Sequence, residues 1–339
     1  MLVRLRRRGP LTWIVHVGGL GWSGSGAVLD ALLDTDRFQS LKGKTGSVSE
    51  SRLFSGRPAF PDAIGTLRGL STDDILGLWT AGARVPDPSA LSPSVRRLLE
   101  RPAGQHHINH KVLRTVDDAP LRNAAEATAT LLRDAVGAEE RATAYLRGTY
   151  AALRSLLGDA GRHILIDNDP GATPAVERHL RADDRVAFVT VIRDLRDQYV
   201  DRRAKVEMNE SVPVNLLRTI RSGRLRRREL SALSALAARR RDRLFVVAFE
   251  RFVLDADYRR QFLERLLGGA PAASDREPRF LPEQSARNIG LAVRPGDRIQ
   301  RAVFRRSSDR AHGLALSRSS AEEWPVLAIG GGRRGALEG

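Results

Sequence analysis

The sequence predicts an α/β chain whose parallel sheet is covered by helices on both faces, and three observations carry that prediction. A short apolar run, Trp13, Ile14, Val15 and Val17, breaks into a loop of small residues and then into Ala27–Leu33, whose apolar positions have helical spacing. A second run, Arg185–Ile192, is β-branched and nearly uncharged inside, the composition of a strand buried on both faces. Strand-like and helix-like patterns alternate through the rest of the chain, the order that gives parallel strands joined by crossover helices.

Taken in order, the first strand spans the run beginning at Trp13 and the first helix starts at the end of the Gly18–Gly26 loop. Asp34–Asp36 make a turn, and Arg37–Leu41 read as a weak second strand. From about residue 57 to 160 the signals are helical: Ser71-Thr72-Asp73-Asp74 is a helix start before Ile75, Leu76, Leu78 and Trp79, and Ala119–Leu157 is a helical stretch broken near Gly137. So long a span between two strands predicts a helical insertion or lid rather than an ordinary connection. His163–Asp167 restores the strand pattern, and Thr173-Pro174 opens a helix with proline tolerated in its first turn. Residues 214–241 read as one or two basic helices, Leu244–Glu250 as a strand, and about Asp257–Leu267 as a helix. The expected organisation is one α/β domain over residues 1–310 and a loop-rich or disordered tail over 311–339.

Charge and composition bound the function. The 339 residues carry a net charge of +16, which suits anionic partners, yet 52 of the 56 basic residues are arginine, as codon bias in a GC-rich genome would produce. No RNP, zinc-finger or zipper pattern accompanies the charge, so no nucleic-acid partner is expected. The absence of cysteine excludes disulfides, thiolate catalysis and cysteine-ligated metal. Arg4–Arg8 before Leu11–Val17 mimics a secretory leader, but Gly9-Pro10 interrupts it and no small-residue cleavage site follows. With no apolar run near the roughly 20 residues of a membrane span, no span is expected and the expected compartment is the cytoplasm.

The chemistry concentrates in the loop. A strand, a glycine-rich turn and a helix N-terminus present backbone N–H groups to an anion, which makes Gly21, Trp22, Ser23, Gly24, Ser25 and Gly26 a phosphate cradle. The ATPase form GxxxxGK[ST] is not met: Gly19 and Gly24 have its separation, but Ser25 and Gly26 stand where Lys and Ser/Thr belong. A dinucleotide fingerprint is not met either, because no acidic strand end follows at the required distance. Elsewhere, His106 and His110 would share a helical face, yet no third acidic ligand accompanies them and no metal is expected.

Four segments in order then resemble the sulfotransferases that use 3′-phosphoadenosine 5′-phosphosulfate (PAPS). Trp22–Gly26 with its helix is similar to their 5′-phosphosulfate loop; Val189–Asp197 resembles the strand and R-D-P-R-D turn that grip the 3′-phosphate. Val246–Val253 resembles a later strand of that family, and Phe280–Gly290 its C-terminal loop closing on the nucleotide. The resemblance implies a P-loop NTPase-like sulfotransferase fold with a helical insertion, and PAPS as donor with adenosine 3′,5′-bisphosphate as product. It implies a hydroxyl or amine acceptor on a glycan, an acidic glycan among the candidates, or on a small molecule. It further implies Arg193 on the 3′-phosphate, Ser285, Arg287 and Asn288 closing over the nucleotide, and Glu50 as the base that deprotonates the acceptor.

Three positions depart from the family pattern. Trp22 replaces a loop lysine, leaving Arg287, Lys42 or Lys44 to supply its charge. Asp201 stands where a 3′-phosphate serine is usual, with Gln198 or Arg202 as substitutes, and Leu195 replaces the turn proline. Two alternatives follow from these residues: a kinase or nucleotide hydrolase on the same fold, and a non-catalytic module that binds nucleotide or polyanion. For Arg193 itself the alternative is local pairing with Asp194 or Asp197, and for Glu50 it is pairing with Arg52.

Overall fold

A computed structural model describes residues 12–19, 23–40, 59–80, 85–100, 117–157, 162–167, 173–194, 197–198, 200–201, 232–233, 235–240, 242–270 and 277–291. Five strands form one all-parallel sheet flanked by helices, an α/β arrangement consistent with the P-loop NTPase-like class. They are β1 (Ile14–Gly18), β2 (Phe38–Ser40), β3 (His163–Asp167), β4 (Val186–Ile192) and β5 (Leu244–Ala248), in the order β2-β3-β1-β4-β5. Phe38 lies opposite His163 in the parallel β2–β3 register, and Phe188 opposite Leu244 in β4–β5. β1 is buried along its whole length, which is why its sequence is a continuous apolar run rather than an alternation.

Ten helices are described: α1 (Ser25–Leu33), α2 (Ala59–Thr66), α3 (Thr72–Thr80), α4 (Pro93–Glu100), α5 (Asp118–Asp134), α6 (Ala138–Leu157), α7 (Thr173–Ala182), α8 (Phe249–Leu254), α9 (Ala256–Leu267) and α10 (Pro282–Ala286). The helix start read at Ser71 is a reciprocal cap. The Ser71 N–H donates to Asp74 Oδ2 at 3.0 Å, and the Asp74 N–H donates to Ser71 Oγ at 3.1 Å. The expected break near Gly137 separates α5 from α6. One reading is corrected: the strand expected to run to Glu250 ends at Ala248, and Phe249 and Glu250 open α8. Phe249 suits either state by composition, so the strand-like run alone did not reveal its end.

The chain forms two compact units, one from residues up to His16 with Asp36–Ala187, the other from Val17–Thr35 with residues from Phe188 on. In the first, the described elements between Ala59 and Leu157 are all helical. Trp79 Nε1 donates to Thr149 Oγ1 at 3.1 Å, joining α3 to α6, and Arg141 donates to the Gly65 and Val136 carbonyls at 2.9 Å each. Glu139 of α6 accepts three bonds from Arg178 of α7, at 3.1 Å to Oε1 and at 3.0 Å and 2.7 Å to Oε2.

Three buried polar rings sit within this unit. His16 Nε2 and Tyr150 Oη are 2.7 Å apart, and Tyr150 Oη and His179 Nδ1 are 2.5 Å apart, all three residues being almost fully enclosed. A hydroxyl has one proton, so it donates to one imidazole, which must be neutral to accept, and accepts from the N–H of the other. Burial lowers the pKa of both histidines, that of His179 to about 3. Nearby, His163 Nδ1 accepts the Trp13 N–H at 3.3 Å, and burial lowers its pKa to about 4.

The second unit holds the remaining elements, α1, β5 and α8–α10, and the carboxyl ends of β1 and β4. No helix among the described residues is long and apolar enough to cross a membrane.

Candidate functional site

In the second unit the carboxyl ends of β1, β4 and β5 each lead into a residue with chemical potential, and all three strands run parallel. Such ends are where open α/β sheets place their ligands. After β1 comes the loop to α1. Gly19 lies so close to its surroundings that a Cβ there would stand 2.1 Å from Ser23 Oγ and 2.3 Å from the Val191 carbonyl oxygen. Only glycine allows this approach, which seats the loop on the end of β4. At the far side of the loop, Gly24 adopts φ 87°, a left-handed conformation, with the Phe249 ring 2.2 Å from where its Cβ would be.

Gly24 is the N-cap of α1 and brings no side chain to cap the first-turn N–H groups. The Ser23 hydroxyl is 1% exposed and has no hydrogen-bond partner among the described residues. A Cβ at Gly26 would meet nothing within 4 Å among the described residues. The Ala27 N–H already donates to the Gly24 carbonyl at 3.1 Å; a first turn without a side-chain cap and a buried hydroxyl with no partner among the described residues are what an oxyanion would complete. Ser25 and Gly26, expected in the cradle, lie in this first turn, Ser25 partly exposed and Gly26 exposed.

After β4 comes Arg193, 8% exposed. Its guanidinium lies 5.1 Å from the centroid of the Phe249 ring, so one aromatic residue carries both the arginine and the loop glycine. Its Nη1 donates to Asp201 Oδ2 at 2.8 Å, and its Nη2 donates to the Asn288 carbonyl. The partner of this ion pair is thus Asp201 rather than the neighbouring Asp194 or Asp197. Of those two, Asp197 Oδ2 accepts the Gly290 N–H at 2.6 Å, and the Asp194 backbone N–H donates to Glu250 Oε1 at 2.8 Å. Burial raises the Glu250 pKa, and hydrogen bonding to the carboxylate opposes that shift only in part.

The C-terminal segment is therefore tied to this end of the sheet at Asn288 and Gly290. It is tied again at Asp34, the C-cap of α1, whose carboxylate accepts the Arg279 and Phe280 N–H groups, each at 3.0 Å. Charge-assisted bonds of this kind are worth about 1.5–3 kcal/mol each. Asp34→Ala is expected to release residues 277–291, read as faster limited proteolysis there with global unfolding little changed. Unaltered cleavage rates would refute the anchoring.

Of the site residues expected from sequence, the second unit gathers Ser23, Gly24, Ser25, Gly26 and Arg193, and brings the Asn288 backbone onto Arg193. Ser285 lies within α10, donating its N–H to the Leu281 carbonyl, and Arg287 caps that helix with its side chain exposed. Gly21, Trp22 and Glu50 lie outside the described residues, as do Lys42, Lys44, Arg202 and the His106–Lys111 cluster. Among the described residues no group of three or more His, Asp or Glu is arranged to hold a metal ion. Sequence reasoning missed Phe249 and Glu250; the available signal was their position directly after a strand, matching that of Arg193 and Asp194 after β4. Compared with known proteins, the chain matches no family model and no curated sequence.

Proposed function

We propose that this chain is a nucleotide-dependent transferase that moves a sulfuryl group from a nucleotide 5′-phosphosulfate to a hydroxyl or amine acceptor. The observation that carries the reading is the start of α1: a first turn with no side-chain cap beside the buried Ser23 hydroxyl, which has no partner among the described residues, at the carboxyl end of a parallel strand. Sulfuryl transfer develops charge on the leaving phosphate oxygen, and fixed N–H dipoles and a hydroxyl at that oxygen favour the transition state. The donor supplies the electrophilic sulfur. The chain's part is to hold the phosphate, and Glu50 is the residue proposed to take the acceptor's proton.

PAPS, the donor implied by resemblance, meets different surroundings at its two ends. The loop suits a 5′-phosphate. The Arg193–Asp201 pair does not suit a 3′-phosphate, because the arginine's charge is already balanced by a buried carboxylate. No step is assigned through that phosphate.

Ser23→Ala tests the reading with two opposed effects. Removing a buried unsatisfied hydroxyl is expected to stabilise the free protein by about 1 kcal/mol. Loss of a phosphate hydrogen bond is expected to weaken adenosine 5′-phosphate by about tenfold in calorimetry. Absence of binding by any adenosine phosphate at millimolar concentration would overturn the proposal. Mg²⁺-dependent ATP turnover would instead place the chain among kinases or hydrolases.

A further inference from the structure

We propose that Asp201 makes this site selective for a nucleoside 5′-phosphate with free ribose hydroxyls, against one that carries a second phosphate on the ribose. The inference rests on the reading of the loop after β1 as a 5′-phosphate site, and it concerns the other end of the same ligand.

Arg193 is tied to the loop through Phe249, whose ring faces the guanidinium and backs Gly24. It sits at the carboxyl end of β4, while the loop follows β1, the neighbouring strand. The resemblance to the sulfotransferases implies a second phosphate on this arginine, a group that guanidinium binds well. Here its side chain is 2% exposed and its partner Asp201 is 7% exposed, with 2.8 Å between Nη1 and Oδ2. The pair is neutral and water screens it little, so a phosphate brought to the guanidinium would also face the Asp201 carboxylate.

A second donor, Nη2, holds the Asn288 carbonyl, and Gly290 is held by Asp197 two residues on. A ribose phosphate would have to displace an acidic side chain and loosen this backbone. A hydroxyl needs neither change, since a carboxylate accepts its hydrogen bond. Dinucleotide sites make the same distinction, using an acidic residue for a ribose hydroxyl and an arginine for a ribose phosphate.

The test is calorimetric titration of the full chain with adenosine 5′-phosphate and with adenosine 3′,5′-bisphosphate at matched ionic strength. The unmodified chain is expected to bind the monophosphate tighter by about tenfold or more. In Asp201→Asn, which keeps the shape and an oxygen acceptor for Arg193, the ratio is expected to move toward the bisphosphate by about tenfold or more. Asp201→Ser is expected to move it in the same direction. Equal or tighter binding of the bisphosphate by the unmodified chain would overturn this inference while leaving the 5′-phosphate site standing. A ratio unchanged in both variants would also overturn it. If neither nucleotide binds, the 5′-phosphate reading fails and the selectivity falls with it. Should both variants unfold, the ratio in the unmodified chain decides alone.

Discussion

Gly24→Ala is expected to lower the unfolding free energy by about 2–4 kcal/mol, from two separate causes. At φ 87° an alanine pays the left-handed backbone penalty, about 1–2 kcal/mol. Its methyl would also stand 2.2 Å from a Phe249 ring carbon, in a place where neither side can yield easily. Phe249 is 2% exposed and carries the Arg193 guanidinium on its face, so moving the ring disturbs the Arg193–Asp201 pair as well. Gly26→Ala is the matching control. It lies in helical backbone with nothing within 4 Å of the added carbon, and is expected to stabilise by about 0.5–1 kcal/mol. Denaturant unfolding of both variants checks the pair. A Gly24→Ala loss below about 1 kcal/mol would show that the loop is not held as described.

The second large effect is acid sensitivity of the first unit. His16, His163 and His179 all have folded pKa values below the ordinary 6.5, with His163 at about 4 and His179 at about 3. The unfolded chain therefore binds protons that the folded chain refuses. Stability is complete above about pH 6.5 and falls as the pH drops toward the folded values. Each histidine contributes a slope near 1.4 kcal/mol per pH unit, so three together remove about 4 kcal/mol per unit well below pH 6.5. Against a typical total of about 5–15 kcal/mol, this predicts unfolding in mildly acidic buffer. The physical cause is geometric as well as electrostatic. The Tyr150 hydroxyl has one proton to give, so at least one of the two imidazoles must stay neutral to accept it, and protonating both costs the donor–acceptor match. Denaturant midpoints between pH 7.5 and 5 measure the slope, and His179→Leu is expected to reduce it by about one third. A flat profile across that range would contradict the neutral buried cluster.

Much of the fold was readable because apolar burial leaves a linear trace. Val186–Ile192 had to be a strand covered on both faces, and Ser71 with Asp74 had to begin a helix. The phosphate loop was readable for a related reason: glycines placed where a strand meets a helix mark backbone that approaches something closely. The end of β5 was not readable, since Phe249 is compatible with strand or helix and only its packing against Gly24 and Arg193 distinguishes them. His16 was read as a core histidine from its place within a strand, but its partners lie 134 and 163 positions away.

By itself the sequence determined the alternation of strands and helices, the small-residue turn before α1 and an arginine at the end of β4. These are local properties, set by side-chain period and backbone freedom. Only the tertiary structure decided what that arginine faces. Asp197 is nearer along the chain, yet its carboxylate takes the Gly290 N–H, and it is Asp201, eight positions on, that meets the guanidinium. Charge pairing depends on distance in space and on the exclusion of water, and neither is written in the order of residues.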